Sequence, residues 1–128
     1  MPTLEVPTAV PVAAKLFRGL GDPTRLAILL TLIDGERRVT DVVDAVKSSQ
    51  SNVSGHLACL KECGLVADRA GERRQVFYRI ARPEVVSLLK AAERLVAETG
   101  TAIDLCHNPL MVPETDRPTV TQSRRRRA

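Results

Sequence analysis

The chain of 128 residues has no tryptophan, a single tyrosine and two phenylalanines. Large aromatic side chains therefore supply little of its buried surface. Aliphatic residues must build the core, and a partner subunit is one way to add buried area. No apolar run approaches the ~18 residues of a membrane-spanning helix. The first twelve residues carry three prolines and no basic stretch, which argues against a secretory signal, so a cytoplasmic location is expected. Cysteine is sparse too. Cys59, Cys63 and Cys106 make an odd count, which excludes a fully paired disulfide scaffold. Three roles remain open for these thiols: apolar filler, redox sensor or metal ligand. Catalytic constellations are also missing. Cys106 and His107 are sequence neighbours and a poor nucleophile–base pair, so an enzyme is not expected.

What is present points elsewhere. The length suits one domain. The net charge of +4 equals the charge of Arg124 to Arg127, so the other residues balance. Locally they do not: Lys61 to Arg82 hold six basic and three acidic residues, whereas Glu84 to Asp116 hold two basic and six acidic. A basic segment beside an acidic one is the polarity of a module that meets phosphate with one face.

Residues 1–8 read as a flexible leader, 9–106 as the folded domain and 107–128 as a disordered, basic tail. A first helix is expected over Val10–Leu20. Asp22-Pro23 supplies an N-cap and a first-turn proline for a second, with Leu26, Leu29, Leu30 and Ile33 on its buried face. Thr40 is the expected cap of a short third helix to about Val46, with Val42, Val43 and Val46 inward. Lys47-Ser48-Ser49 forms a turn, and Ser49 caps a fourth helix from Gln50 to about Cys63 whose core residues are Val53, Leu57 and Leu60. Gly64 sits where a helix C-cap belongs. Two short helices around a three-residue turn make a helix-turn-helix. Leu65–Arg69 and Arg74–Ile80, joined through Gly71, read as a β-hairpin or wing. Pro83 opens a last helix that runs to about Thr99 or somewhat beyond, with Val86, Leu89, Leu95 and Val96 as its apolar positions. The expected class is mostly α with a β-hairpin wing: a winged helix-turn-helix.

A recognition helix needs short polar side chains on its outward N-terminal face. Ser49, Gln50, Ser51, Asn52, Ser54 and His56 occupy that part of the fourth helix. Glutamine and asparagine pair bidentately with adenine, and serine bonds base or phosphate. Gly55 allows close approach of the backbone, at a propensity cost of ~1 kcal/mol relative to alanine. Arg69, Arg73 and Arg74 on the hairpin complete the candidate DNA-binding set. Charge on an edge hairpin also protects it from aggregation, and a polar helix face can simply be solvated, but the two features adjoin in sequence and together favour double-stranded DNA as partner.

The segments Leu20–Leu29, reading LGDPTRLAIL, and Ser49–Leu57, reading SQSNVSGHL, followed by Cys63-Gly64-Leu65-Val66 and a wing with Gly71, Arg73 and Tyr78, resemble the ArsR/SmtB family of metal-responsive repressors over about residues 13–99. The resemblance implies a homodimer joined through the first and last helices, two recognition helices on a pseudo-palindromic operator, and release by an effector. The third helix has no cysteine, so the arsenic- and lead-type site of that helix is absent. The last helix has no histidine before His107, which disfavours the zinc- or nickel-type site. The spacing of Cys59, Cys63 and Cys106 is similar to that of the family's cadmium- and lead-sensing members, which implies a Cd²⁺ or Pb²⁺ effector. Residues four apart on a helix are neighbours ~5–6 Å apart, so Cys59 and Cys63 suit one ion with Cys106 as third ligand. Three sulfurs favour soft ions. Zn²⁺ usually takes a fourth ligand, for which His107, Asp104 or water is available. The alternatives are the same module triggered by Zn²⁺ or thiol oxidation, or a winged helix used for protein–protein contact.

Overall fold

A computed structural model describes residues 9–104. The leader 1–8, Cys106 and the tail 107–128 lie outside the described residues. The chain divides into two compact units, one ending at Ala92 and the other beginning at Glu93. The elements, in order, are α1 (Ala9–Leu20), α2 (Pro23–Leu32), β1 (Arg37–Arg38), α3 (Val39–Val46), α4 (Gln50–Glu62), β2 (Val66–Ala70), one 3-10 turn (Glu72–Arg74), β3 (Val76–Ile80) and α5 (Pro83–Asp104). The three strands form one antiparallel sheet in the order β1-β3-β2. The winged helix-turn-helix expected from the sequence is the fold observed.

Local chemistry explains most boundaries. The Asp22 carboxylate accepts the Arg25 N–H at 2.9 Å, and Pro23 occupies the first turn, where its missing N–H costs nothing. Ser49 caps α4 by accepting the Asn52 N–H at 3.1 Å. At the other end Gly64, at φ +78°, donates to the Lys61 carbonyl while Leu65 donates to that of Leu60. That is a Schellman closure, and it needs a left-handed residue that glycine supplies without strain.

α2, α3 and α4 converge on a wholly aliphatic core. Ile28, Leu29 and Leu32 of α2 meet Val42 of α3 and Val53, Leu57 and Leu60 of α4, with Val66, Val85 and Leu89 closing the sides. Tyr78 is partly buried against this cluster. In the unit beginning at Glu93, Leu95 and Val96 of α5 are exposed.

Several expectations need correction. Leu30 is 47% exposed, because Ile28, Leu29 and Leu32 take the core side of α2 and turn it outward. Thr40 does not cap α3. The chain stays extended through Arg38, which pairs with Phe77 in β3, and turns helical at Val39. Arg38 is the cap residue but makes no side-chain capping bond, and its guanidinium instead pairs with Asp41 of the first turn. The two-residue strand β1 has no pattern long enough to be read in sequence. α5 runs to Asp104, within the expected extension somewhat beyond Thr99.

Leu57 has no exposed surface and stands at the meeting point of the three helices. Leu57→Ala should cost about 2–5 kcal/mol of stability, measured by chemical denaturation, because the rigid aliphatic neighbours cannot collapse fully into the void.

Candidate nucleic-acid interface and thiol site

Burial of Val53, Leu57 and Leu60 fixes the rotation of α4 about its axis. Gln50, Ser51, Asn52 and Ser54 are consequently exposed. Nothing within the chain lies within 4 Å of where a side chain at Gly55 would begin, so the space beside its backbone is open. Two members of this polar set also hold their own helix end. Ser49 is the cap, with its Oγ 3.4 Å from that of Ser51, and Asn52 donates through Nδ2 to the Ser48 Oγ at 2.7 Å. Ser48 is not among the residues singled out by sequence, although a serine four residues before an asparagine at a helix start is a legible signal. His56 is only half-buried and turns sideways, its Nε2 3.9 Å from Oδ2 of Asp22 at the start of α2.

The wing arginines divide into two kinds. Arg69 makes a two-pronged ion pair with Glu36, at 2.8 and 2.6 Å, and lies over the Phe77 ring at 4.5 Å from its centre. Its guanidinium is thus matched by a carboxylate within the fold. Gly71 sits against the Cδ2–Cε2 edge of that ring, where any Cβ would overlap it. Arg73 and Arg74 are exposed at the tip, both in the left-handed region at φ 57° and 64°. The Gln75 N–H closes the turn on the Glu72 carbonyl at 3.2 Å. Two consecutive left-handed residues are the backbone pattern of a type I′ hairpin turn, where Asn-Gly is the favoured pair. Arginine there costs about 1 kcal/mol per residue.

The thiols lie on a flank of α4. Cys59 is half-buried and Cys63, the C-cap residue, is exposed; both are free. Cys59 Sγ accepts a hydrogen bond from Nη1 of Arg25 at 3.6 Å, and the same guanidinium donates through Nε to the Gly19 carbonyl at 3.1 Å. Among the described residues no three His, Cys, Asp or Glu side chains come together as a metal site. Cys59 and Cys63 supply two soft donors four positions apart on one helix; the third expected ligand, Cys106, lies outside the described residues.

Known proteins resemble this chain in sequence and in fold. The sequence profile "Bacterial regulatory protein, arsR family" matches residues 22–68, which run from the cap of α2 through α4 into β2. A relative from Streptomyces lividans, "Probable mercury resistance operon repressor", is 39% identical over 105 residues, covering 81% of this chain and 83% of that one. The chain belongs to the arsR family of bacterial regulatory proteins. The "HTH-type transcriptional regulator CmtR" of Mycobacterium tuberculosis (strain ATCC 25618 / H37Rv) is 39% identical over 88 residues, 69% of this chain and 74% of that one. Among solved structures, a homodimeric winged helix-turn-helix DNA-binding domain from Mycobacterium bovis superposes with a TM-score of 0.62 at 30% identity, covering 84% of this chain and 100% of that one. The family assignment agrees with the resemblance carried by the Leu20–Leu29 and Ser49–Leu57 segments.

The hydrogen bond and charge of Arg69 hold the Glu36 carboxyl below its ordinary value of 4.5. A lowered folded-state value means that the pair stabilises the protein fully above the ordinary glutamate range. That contribution drains away as pH falls through the folded value. The melting-temperature difference between the parent and Glu36→Gln should therefore be present at neutral pH, shrink as pH falls below the ordinary glutamate value, and vanish only once pH is below the lowered folded-state value as well. A difference that persisted there would contradict the ion pair as its source.

Proposed function

We propose that the chain is a homodimeric transcriptional repressor that reads operator DNA with α4 and the wing, and that a soft metal ion held by Cys59, Cys63 and Cys106 releases it. The observation that carries this reading is the division of α4. The helix is buried along Val53, Leu57 and Leu60, presents Gln50, Ser51, Asn52 and Ser54 outward, and bears two free thiols on its flank. DNA contact and effector capture then share one rigid element, so a small rotation of α4 serves both.

Several features support the details. Exposed Gln50, Asn52 and Ser54 have the donors and acceptors that base edges require, while Ser49, Ser51 and His56 flank them. Arg73 and Arg74 carry their charge outward on a strained turn, whereas Arg69 positions the wing through Glu36 and Phe77. Val10, Val12, Leu16 and Phe17 of α1 are exposed, as are Leu95 and Val96 of α5, and an aliphatic protein with few aromatics gains from covering such surface with a second copy. The homodimeric Mycobacterium bovis structure is consistent with that assembly. A thiophilic effector agrees with the printed name of the Streptomyces lividans relative and with the cadmium- and lead-type spacing of the cysteines. Cd²⁺ or Pb²⁺ is the proposed effector, and Zn²⁺ would need a fourth ligand. Among the described residues no helix is long and apolar enough to cross a membrane.

The test is a gel shift with the DNA upstream of the chain's own gene, at low salt, with and without Cd²⁺. Specific retardation that Cd²⁺ reverses, with thiolate-to-metal absorption that Cys106→Ser diminishes, is the expected result. Reversal by oxidant without such absorption would replace the metal by a redox trigger. No retardation would leave the protein-contact reading. Gln50→Ala should weaken specific binding by about 1–3 kcal/mol, or roughly 5- to 150-fold, with little change in stability. Placing an Asn-Gly pair at the wing tip, through the double substitution Arg73→Asn and Arg74→Gly, should act in opposite directions on two readouts. The melting temperature should rise by a few degrees as backbone strain is relieved, while operator affinity falls and its salt dependence flattens by about two phosphate charges.

A further inference from the structure

We propose that Lys47, in the turn between α3 and α4, contacts a DNA phosphate, so that the protein holds the sugar-phosphate backbone at the entrance to the recognition helix as well as at the wing tip. The inference rests on the reading of α4 as the DNA-reading helix and adds a binding residue to it.

Among the described residues, three that are not glycine have a left-handed backbone: Lys47 at φ 56°, Arg73 at 57° and Arg74 at 64°. Glycine, asparagine and aspartate adopt this conformation at least cost. Here all three are basic, in a chain where lysine and arginine together are 19 of 128 residues, so composition does not account for the coincidence. Ion pairing within the fold does not account for it either. Arg38, Lys61 and Arg69 are matched by Asp41, Asp68 and Glu36. None of the ion pairs among the described residues includes Lys47, Arg73 or Arg74.

The fold requires the conformation at position 47 but not the lysine. Lys47 closes α3, its N–H donating to the Val43 carbonyl at 2.9 Å, and the left-handed turn then sends the chain into α4. The next two residues are tied down, Ser48 by the Asn52 side chain at 2.7 Å and Ser49 by the Asn52 N–H at 3.1 Å. Asparagine or glycine at position 47 would close α3 equally well. Helix dipoles do not single out a cation: the C-terminus of α3 favours one, but the N-terminus of α4 begins three residues later and disfavours it. A strained residue persists where its surroundings hold it, and its identity then points to a role beyond the local fold. Lys47 is exposed and stands three residues before Gln50, the first residue of α4. A lysine ammonium is a point charge that suits a phosphate oxygen. Such a contact reads no base; it fixes the register in which Gln50, Asn52 and Ser54 meet the base edges.

The test titrates the full-length protein with two duplexes, the DNA upstream of its own gene and a random sequence of the same length, at salt from about 50 to 200 mM. Three variants are compared with the parent. Lys47→Asn keeps a left-handed turn without charge, Lys47→Arg restores the charge, and Lys90→Gln removes an exposed charge from α5 instead. Lys47→Asn should weaken binding to both duplexes by the same factor, roughly 3- to 15-fold at the lowest salt. The slope of log affinity against log salt should flatten by about 0.9, so that a fourfold rise in salt costs about 3.5-fold less affinity than in the parent. Its melting temperature should equal or exceed the parent's, because backbone strain is relieved. Lys47→Arg and Lys90→Gln should keep the parental slope. An unchanged slope in Lys47→Asn overturns the proposal whatever the affinity does, because a role confined to the turn acts alike at every salt. Equal flattening in Lys90→Gln also overturns it, since net charge alone would then be at work. A loss confined to the upstream DNA does so too, being the mark of a base contact. If circular dichroism shows Lys47→Asn unfolded, Lys47→Gly takes its place under the same criteria. A parent that retards neither duplex at low salt sinks the DNA reading itself and this inference with it. A parent that binds, with the parental slope kept in Lys47→Asn, sinks this inference alone.

Discussion

The rotation of α4 about its own axis is the constraint on which the molecule depends. Val53, Leu57 and Leu60 recur at helical spacing and have almost no exposed surface, so the helix can seat in only one way against α2 and α3. Burying three such side chains stabilises the seat by about 1.5–3 kcal/mol each. A rotation that freed any one of them would forfeit more than a hydrogen bond to DNA returns. The polar side chains of the first two turns are outward because nothing else can be. Ser49 and Ser48 then secure the helix start on which those groups ride, through the Asn52 backbone and side chain.

The same seat decides what happens on the flank. His56, Cys59 and Cys63 recur three and four residues apart and lie between the buried stripe and the exposed face. α2 approaches this flank with its first turn, where the cap chemistry has already placed Asp22 and Arg25. The polar contacts that result, Asp22 to His56 and Arg25 to Cys59, are by-products of two apolar seatings. They nonetheless give the recognition helix a polar hinge line on one side and an apolar one on the other. Apolar packing tolerates a small roll at modest cost, whereas directional contacts break. Chemistry at a thiol on the polar side is therefore well placed to bias the roll.

Those parts of the fold that rest on local rules were legible in the sequence. Asp22-Pro23, Ser49 and Gly64 announce helix ends through groups within three residues of one another, and the stripe of α4 is a period that a single segment displays. Thr40 misled because the true start of α3 is set by Arg38 pairing with Phe77, a partner 39 positions away. Leu30 misled because α2 is apolar around much of its circumference, so periodicity could not tell its inner side from its outer. Arg25, Glu36 and Phe77 were missed for the same reason: Arg25 meets Cys59, and Arg69 meets Glu36, across more than thirty residues. A long-range polar contact leaves no periodic trace, and only folding brings its members together.

The wing shows how stability and function part company. The end of its ladder next to the tip is overdetermined, with the Phe77 ring under the Arg69 guanidinium and its edge against the glycine backbone at position 71, and Glu36 fixing that guanidinium from outside the hairpin. Its tip is strained, with Arg73 and Arg74 in a conformation that glycine or asparagine would adopt at less cost. A strained tip persists only where the surrounding structure holds it, and the strand ends that flank this turn do so. Local energetics alone would have replaced both arginines. Their presence is explained when the charge at that point matters more than the strain, as it does for a hairpin that reaches a phosphate backbone. Residues that oppose the fold's own preferences at an exposed, rigidly supported tip are therefore the ones whose reason must be sought outside the chain.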